Sequence, residues 1–181
     1  IARRGSRLTN TLFLLFVLGI ILPYQLAVVP TYVVFRAVGL VPSSLGLIIL
    51  YTGLLLPMSV FMYTGFVRSL PTAYEEAAYV DGAGSLGTFV RIVFPLMGSI
   101  TATVATLTGL IVWNDFFLQL VFLGGSASQT LPVQIYSFVG EFTSRWNRMF
   151  AAVIIAIAPV LVFFVVAQRQ LVRGFSGGLK G

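Results

Sequence analysis

The chain has 181 residues, of which 58% are hydrophobic and only 9% are charged, with 11 Lys and Arg against 5 Asp and Glu. Soluble domains carry about 25% charged residues, so this chain has too few charges to cover a soluble surface. It contains no Cys and no His, which excludes disulfide scaffolds, Cys/His zinc sites and catalysis by a thiol or an imidazole. Composition therefore predicts an integral membrane protein in contact with lipid, with no metal and no cofactor.

Four windows with few or no charges are long enough to cross a membrane, since about 20 apolar residues span a hydrocarbon core roughly 30 Å thick. The first window contains two prolines, which predict a kinked helix. The third is longer than a bilayer requires, and we expect one continuous, tilted helix there. The sequence thus predicts an all-α, polytopic transmembrane bundle with four spans, at residues 8–35, 45–67, 92–123 and 149–168.

The basic residues indicate which side of the membrane each loop occupies. Four spans place both chain ends on one side, and positively charged loops resist translocation. Most of the basic residues lie on the side that carries both chain ends, so that side is predicted to be cytoplasmic. The net charge of +6 then needs no nucleic-acid partner to explain it. The opening at Ile1 is typical of an internal loop, so we expect a fragment of a longer chain. Eight of the eleven basic residues share the cytoplasmic side: Arg3, Arg4, Arg7, Arg68, Arg91, Arg169, Arg173 and Lys180.

The predicted cytoplasmic loop, residues 68–91, has more regular structure than a simple connection needs. Thr72 and Glu75 have the spacing of a capping box, which predicts a helix over 73–81. Gly82 suits the left-handed conformation that commonly follows a helix. A second helix with one apolar face is predicted from the spacing of Leu86, Phe89, Val90 and Val93.

The same loop resembles a known family signature. Glu76–Ala78, three residues, Gly82, nine residues and then Ile92–Pro95 is similar to the EAA motif of permease subunits in binding-protein-dependent ABC importers. The family favours Leu where Phe94 stands, a conservative departure. Further stretches resemble the sugar-importing branch, in particular the smaller maltose-type permease: Trp113–Phe116, Leu131–Val133 and the ending QRQLVRGFSGGLKG.

The resemblance implies a permease that forms the translocation pathway for a sugar or oligosaccharide in the cytoplasmic membrane of a bacterium or archaeon. Family members have six spans, two more than the windows found here. The implied partners are a second, homologous permease, a cytoplasmic ABC ATPase dimer and an extracytoplasmic sugar-binding protein. In the family, this loop is a coupling helix that docks on the ATPase. The residues that the resemblance assigns to coupling are Glu75, Glu76, Ala77, Ala78, Asp81, Gly82 and Ala83.

Asp115 is the one acid inside a predicted span, and intramembrane acids are functional candidates by default. It lies 20 residues after Pro95, or about 30 Å of helix, near the outer boundary. Two interpretations stand. Asp115 and Asn114, with Gln119 one turn later, line the substrate pathway and bind sugar hydroxyls, or they form an interface anchor.

The sequence lacks the motifs that nucleotide binding or catalysis would need. The segment Gly82–Gly87 matches G-x-G-x-x-G, but no strand precedes it, so a dinucleotide site is excluded. No G-x-x-x-x-G-K-[ST] motif is present, so we expect the protein not to be an enzyme and ATP hydrolysis to take place on a partner chain. A membrane enzyme would also lack a plausible acid–base pair. The remaining alternatives are an ABC permease for a polyol, a glycerol phosphodiester or an amino acid, and a channel or scaffold.

Overall fold

The computed structural model describes residues 2–3, 5–138 and 146–176, with the backbone alone at residue 163 and over residues 166–176. Every regular element in these ranges is helical, which confirms the predicted all-α fold class. Two of the basic residues assigned to the cytoplasmic side, Arg4 and Lys180, lie outside the described ranges, as does the end of the C-terminal motif.

The helices differ widely in length. A 3₁₀ turn, Tyr24–Ala27, precedes the second of them, and a π-helical turn, Phe89–Val93, joins the fifth to the sixth. In the described ranges the α-helices are α1 (Arg7–Ile21), α2 (Val28–Ala37), α3 (Ser44–Ser69), α4 (Ala73–Val80), α5 (Ser85–Thr88), α6 (Phe94–Leu96), α7 (Gly98–Asn114), α8 (Phe117–Leu123), α9 (Leu131–Tyr136) and α10 (Trp146–Ser176).

One helix in the described part of the chain, α3, is long and apolar enough to cross a membrane by itself. The number rises to three if two helix pairs interrupted by bends are each counted as one span, namely α1 with Tyr24–Ala37 and Ser85–Leu96 with α7. The apolar part of α10, Trp146–Val162, is shorter. The count of four spans therefore stays a prediction.

The third predicted span is not the continuous helix that its apolar pattern indicated, and that prediction was wrong. A bend of 62° separates Ser85–Leu96 from α7. Further on, α7 ends at Asn114 and α8 begins at Phe117, so two residues interrupt the predicted helix. The bend at Met97 follows Leu96 in an apolar stretch, so the hydrophobic pattern does not indicate it. The second interruption contains Asp115 and directly follows Asn114, so polar residues do mark it.

The chain divides into two compact units. Unit 1 comprises Ile1–Ile21, Leu56–Leu107 and Ala167–Gly181. In this unit α1 packs closely on α3, since a methyl group at Gly19 would lie 3.2 Å from Cγ of Pro57. The rings of Phe13 and Phe61 also stack, with centroids 6.3 Å apart. A small residue at such a crossing lets two membrane helices approach each other.

Unit 2 comprises Leu22–Leu55 and Thr108–Val166, and its core forms around α8. Phe122 is fully buried. Its ring meets the rings of Tyr32 and Phe35 edge to face, with centroids 5.7 and 5.8 Å away. Such aromatic pairs favour this geometry because the positive ring edge faces a negative ring face. The short α8 is therefore the centre of this unit.

The corner between α2 and α3 requires a glycine. The Ser43 hydroxyl donates a hydrogen bond to the Leu40 carbonyl at 2.8 Å and accepts one from the Gly46 N–H at 3.0 Å, which caps the start of α3. A Cβ on Gly46 would lie only 2.0 Å from the Leu40 carbonyl oxygen. No side chain fits at residue 46 unless the backbone moves.

Candidate functional site

The end of α4 has the conformation that the sequence predicted. Gly82 has a φ of 78°. Its N–H donates to the Tyr79 carbonyl at 3.1 Å, and the N–H of Ala83 donates to the Ala78 carbonyl at 2.9 Å. These two bonds form a Schellman motif, which satisfies carbonyls that the end of a helix otherwise leaves unpaired. The predicted left-handed glycine after α4 is confirmed.

The start of α4 differs from the prediction, and the capping box is wrong. Thr72 has helical dihedral angles, φ −64° and ψ −22°, and its side chain makes no capping hydrogen bond. A capping side chain normally needs an extended backbone to reach the first free N–H groups. The Glu75 carboxylate instead accepts a hydrogen bond from Nε of Arg3 at 2.8 Å. A guanidinium is a stronger partner for a carboxylate than a backbone N–H.

The two faces of α4 have different surroundings. Ala78 is 3% exposed and packs within its own chain, and Glu75 beside it is half-buried. Glu76, Ala77 and Asp81 are exposed on the remaining surface. The resemblance assigns both alanines to coupling, but Ala77 is exposed to a partner and Ala78 is not.

The apolar residues that follow the glycine bend do not form the predicted single face. Val93 is buried, whereas Leu86, Phe89 and Val90 are exposed. The π-helical turn over Phe89–Val93 inserts an extra residue into the helical repeat, which changes the position of Val93 relative to Leu86 and Phe89.

Two exposed aliphatic residues, which were not among the residues assigned to coupling, flank the bend. Val80 is 88% exposed at the end of α4, and Leu86 is 77% exposed in α5. The sequence could have indicated both residues, because aliphatic side chains in a loop predicted to lie outside the membrane need an apolar partner. Glu76, Ala77, Val80, Asp81 and Leu86 are named here the α4–α5 surface. This surface combines carboxylates with apolar groups.

The second group of candidate residues lies in unit 2, around the break between α7 and α8. The Tyr51 hydroxyl on α3 donates a hydrogen bond to Oδ2 of Asp115 at 2.5 Å. Tyr51 is buried and Asp115 is half-buried. Nothing in the local sequence of Tyr51 indicates this contact, which joins positions 64 residues apart.

Gln119 and Asn114 have different environments. Gln119 is buried; its Nε2 donates to the Val112 carbonyl at 2.8 Å and its Oε1 accepts from the Thr130 hydroxyl. Both ends of this amide are used inside the protein, so Gln119 holds the break between α7 and α8. Asn114 is exposed, and its Nδ2 donates to the Leu110 carbonyl at 2.7 Å.

Unit 2 also contains a cavity of about 340 Å³. Its lining is almost entirely apolar and includes Val28, Phe35 and Phe122, but none of Asn114, Asp115 and Gln119. Apolar walls do not satisfy sugar hydroxyls, so this cavity is not assigned to the pathway. Across residues 2–3, 5–138 and 146–176, no group of three or more Asp or Glu residues is placed to hold a metal ion.

The comparison with protein families decides what kind of chain this is. Residues 1–177 match the family described as "binding-protein-dependent transport system inner membrane component". The chain belongs to this family. Membership confirms the resemblance seen in the EAA-like loop, and it makes the chain a membrane protein.

Several curated relatives align with nearly the whole chain. The melibiose/raffinose/stachyose import permease protein MelC of Bacillus subtilis (strain 168) is 36% identical over 183 residues, covering 100% of this chain and 66% of the relative. The multiple sugar-binding transport system permease protein MsmG of Streptococcus mutans is 35% identical, covering 98% and 65%. The probable starch degradation products transport system permease protein AmyC of Thermoanaerobacterium thermosulfurigenes is 32% identical, covering 92% and 61%. The chain thus spans about two thirds of the length of these relatives.

A solved structure has the same fold. The crystal structure of a bacterial ABC transporter involved in the import of the acidic polysaccharide alginate matches with a TM-score of 0.75. The match covers 93% of this chain and 64% of that chain, at 18% identity. At this identity the likeness supports the helical permease fold and nothing about substrate.

Proposed function

We propose that this protein is a membrane-spanning permease subunit of an ABC importer that carries a sugar or an oligosaccharide. The observation that carries the proposal is 36% identity across the whole chain to a melibiose/raffinose/stachyose permease. Two further relatives that are named for multiple sugars and for starch degradation products support the same substrate class.

The α4–α5 surface would couple transport to ATP hydrolysis on a separate ATPase chain. Glu76 and Asp81 are exposed, and neither forms a salt bridge with a residue of the described ranges. Their carboxylates are available to basic groups of a partner, while Val80 and Leu86 offer apolar contact. A surface that combines a charged rim with apolar anchors is typical of protein interfaces. On this proposal the subunit itself is not an enzyme.

The family's organisation supplies the remaining partners of the proposal: a second, homologous permease, an ATPase dimer and an extracytoplasmic sugar-binding protein. Both ends of this chain would lie in the cytoplasm, because most of the basic residues share that side. The surface around Gly82 then lies on the same side as the ATPase, as coupling requires.

Asn114 and Asp115 would contribute to the sugar pathway. Asn114 is exposed, and Asp115 has a second carboxylate oxygen beside the one that Tyr51 occupies. Amide and carboxylate groups are suitable partners for sugar hydroxyls. Gln119 has no free end, so its proposed role changes from contact with substrate to support of the residues before it.

Uptake measurements test the substrate class. Cells that lack the gene, complemented with the wild-type protein and its partner subunits, should regain ATP-dependent uptake of labelled melibiose, raffinose or maltotriose. A matched strain whose ATPase cannot hydrolyse ATP serves as the control. Uptake of a polyol, a glycerol phosphodiester or an amino acid instead of every sugar tested would replace the sugar assignment. ATP-independent flux would support a channel and overturn the proposal.

A further inference from the structure

The guanidinium of Arg3 contacts two segments that lie far from it in sequence. Its Nε donates a hydrogen bond to Oε1 of Glu75 at 2.8 Å, and its terminal Nη2 donates another to the Leu70 carbonyl, also at 2.8 Å. Arg3 precedes α1, Leu70 directly follows α3, and Glu75 lies in the first turn of α4. One side chain therefore joins three segments of unit 1.

Both acceptors suit a guanidinium. Leu70 follows the C-terminal end of α3, where carbonyl groups lack partners within the helix and carry partial negative charge. Glu75 supplies a full negative charge. A guanidinium donates in fixed, divergent directions within one plane, so Arg3 reaches both acceptors at once, whereas a lysine is a point charge.

The contact is partly exposed to water and partly covered by the protein. The exposed fractions of the two side chains are 29% for Arg3 and 20% for Glu75. Partial burial reduces the screening that makes fully exposed ion pairs weak. Glu76, the next residue, is exposed and forms no salt bridge with a described residue. The two adjacent acids thus have different surroundings. Of the two, Glu75 forms an ion pair within the described part of the chain and Glu76 does not.

A second contact fastens α1 to α3 in the same unit. The guanidinium carbon of Arg68, in the last turn of α3, lies 4.7 Å from the ring centroid of Phe13 on α1. The Phe13 ring in turn stacks on Phe61. A cation over an aromatic face is attracted by the ring quadrupole. The helix that Arg3 precedes is therefore itself held against α3.

We propose that Arg3 is a positioning residue for the coupling segment: through the Glu75 carboxylate and the Leu70 carbonyl it fixes the direction of α4 relative to the end of α3. A displacement of α4 by the ATPase is then transmitted to α3 and α1 and is not absorbed by the connection at residues 70–72. This inference rests on the coupling role proposed for the segment.

The first test measures ATP turnover of the assembled transporter in proteoliposomes. Replacing Arg3 with Ala should lower turnover per complex about three- to tenfold, the range expected for the loss of a partly buried, charge-assisted link. Arg7→Ala is the matched control, because Arg7 lies in the same segment, is exposed and forms no salt bridge with a described residue. Its turnover should stay within about twofold of the wild type.

The second test asks whether Arg3 acts through Glu75. The double variant Arg3→Ala/Glu75→Gln should be no worse than Arg3→Ala alone. Combining Arg3→Ala with Glu76→Gln should multiply the two separate effects, since only the first pair is in contact. Arg3→Lys should restore part of the turnover, because a lysine keeps the charge but not the two-directional geometry.

A third readout follows the geometry directly. The chain contains no Cys, so spin labels can be placed at Leu8→Cys on α1 and Ala77→Cys on α4, both of which are exposed. The distance distribution between the labels should be narrow with Arg3 present and should broaden in Arg3→Ala. Arg7→Ala should leave it narrow.

The outcomes separate this inference from the proposed function. If the wild-type chain retains no ATPase at all, the coupling proposal itself fails. If the wild type couples, and Arg3→Ala shows both wild-type turnover and an unchanged distance distribution, the positioning role is overturned. Should Arg3→Ala fail to insert, Arg3→Lys and Glu75→Gln decide by the same two measurements.

Discussion

The Tyr51 hydroxyl donates a hydrogen bond of 2.5 Å to the Asp115 carboxylate and so joins α3 to the break between α7 and α8. An intramembrane acid is costly unless a partner satisfies it. Here the partner is a buried phenol that donates to one carboxylate oxygen. Asp115 therefore has a structural contact within the chain, whatever its role in the proposed sugar pathway.

Replacing Tyr51 with Phe should reduce the stability of the protein. The substitution removes the donor and leaves a half-buried carboxylate oxygen unpaired, at a cost of about 1–3 kcal/mol. Recovery of monodisperse protein after heating in detergent measures the change. Tyr63→Phe is the matched control on the same helix, because the Tyr63 hydroxyl makes no hydrogen bond to a residue of the described ranges. Equal heat resistance of the two variants would show that the contact contributes little.

Asn114→Ala should weaken sugar uptake without affecting assembly. The loss of one substrate hydrogen bond corresponds to about 0.5–1.5 kcal/mol, or roughly a two- to twelvefold rise in KM. Gln119→Leu should instead lower the stability of the protein and impair assembly, because it removes both hydrogen bonds that hold the break between α7 and α8. Uptake kinetics and co-purification of the partners distinguish the two. An unchanged KM in Asn114→Ala returns that residue to the role of an interface anchor.

Gly46→Ala should prevent correct folding. The added methyl group would lie 2.0 Å from the Leu40 carbonyl oxygen, a separation that forces the backbone to move. Gly53→Ala on the same helix meets no atom within 4 Å and should be neutral or slightly stabilising, since Ala favours a helix by roughly 1 kcal/mol. The yield of detergent-solubilised protein compares them. Equal yields would contradict the close approach at Gly46.

Gly82→Val should uncouple the segment from the ATPase while the protein still inserts. At a φ of 78°, a side chain costs roughly 1–2 kcal/mol, and a β-branched one more, so the bend after α4 should change. Gly84→Val is the control, because Gly84 has an extended backbone with φ −71° and open space around its Cβ. Co-purification of the ATPase and its turnover are measured for both. Retention of full turnover in Gly82→Val would exclude a coupling role for the bend.

The orientation in the membrane can be measured by thiol labelling, because the chain has no Cys. Ser85→Cys and Ala127→Cys are both exposed positions. An impermeant reagent added to intact cells should label residue 127 and should reach residue 85 only after the cells are opened. The reverse pattern would invert the predicted topology.

The sequence alone determined the class of the protein and the way in which α4 ends. Low charge and high apolar content predict a membrane protein, because the bilayer and water impose different compositions on a surface. The stop at Gly82 was predictable because helix ends follow from the few residues around them. The EAA-like spacing indicated the family for the same reason, since it is a local pattern.

Only the tertiary structure showed which candidate residues already have hydrogen-bond or ion-pair partners within the chain. The partners of Glu75 and Asp115 lie 72 and 64 residues away, and no local pattern encodes a contact between such distant positions. The capping box failed because Arg3 offers the Glu75 carboxylate a stronger partner than the neighbouring backbone does. The continuous third span failed because an apolar pattern does not encode the bend at Met97. The contacts of Tyr51 and Gln119 that stabilise the second interruption form only when the chain folds.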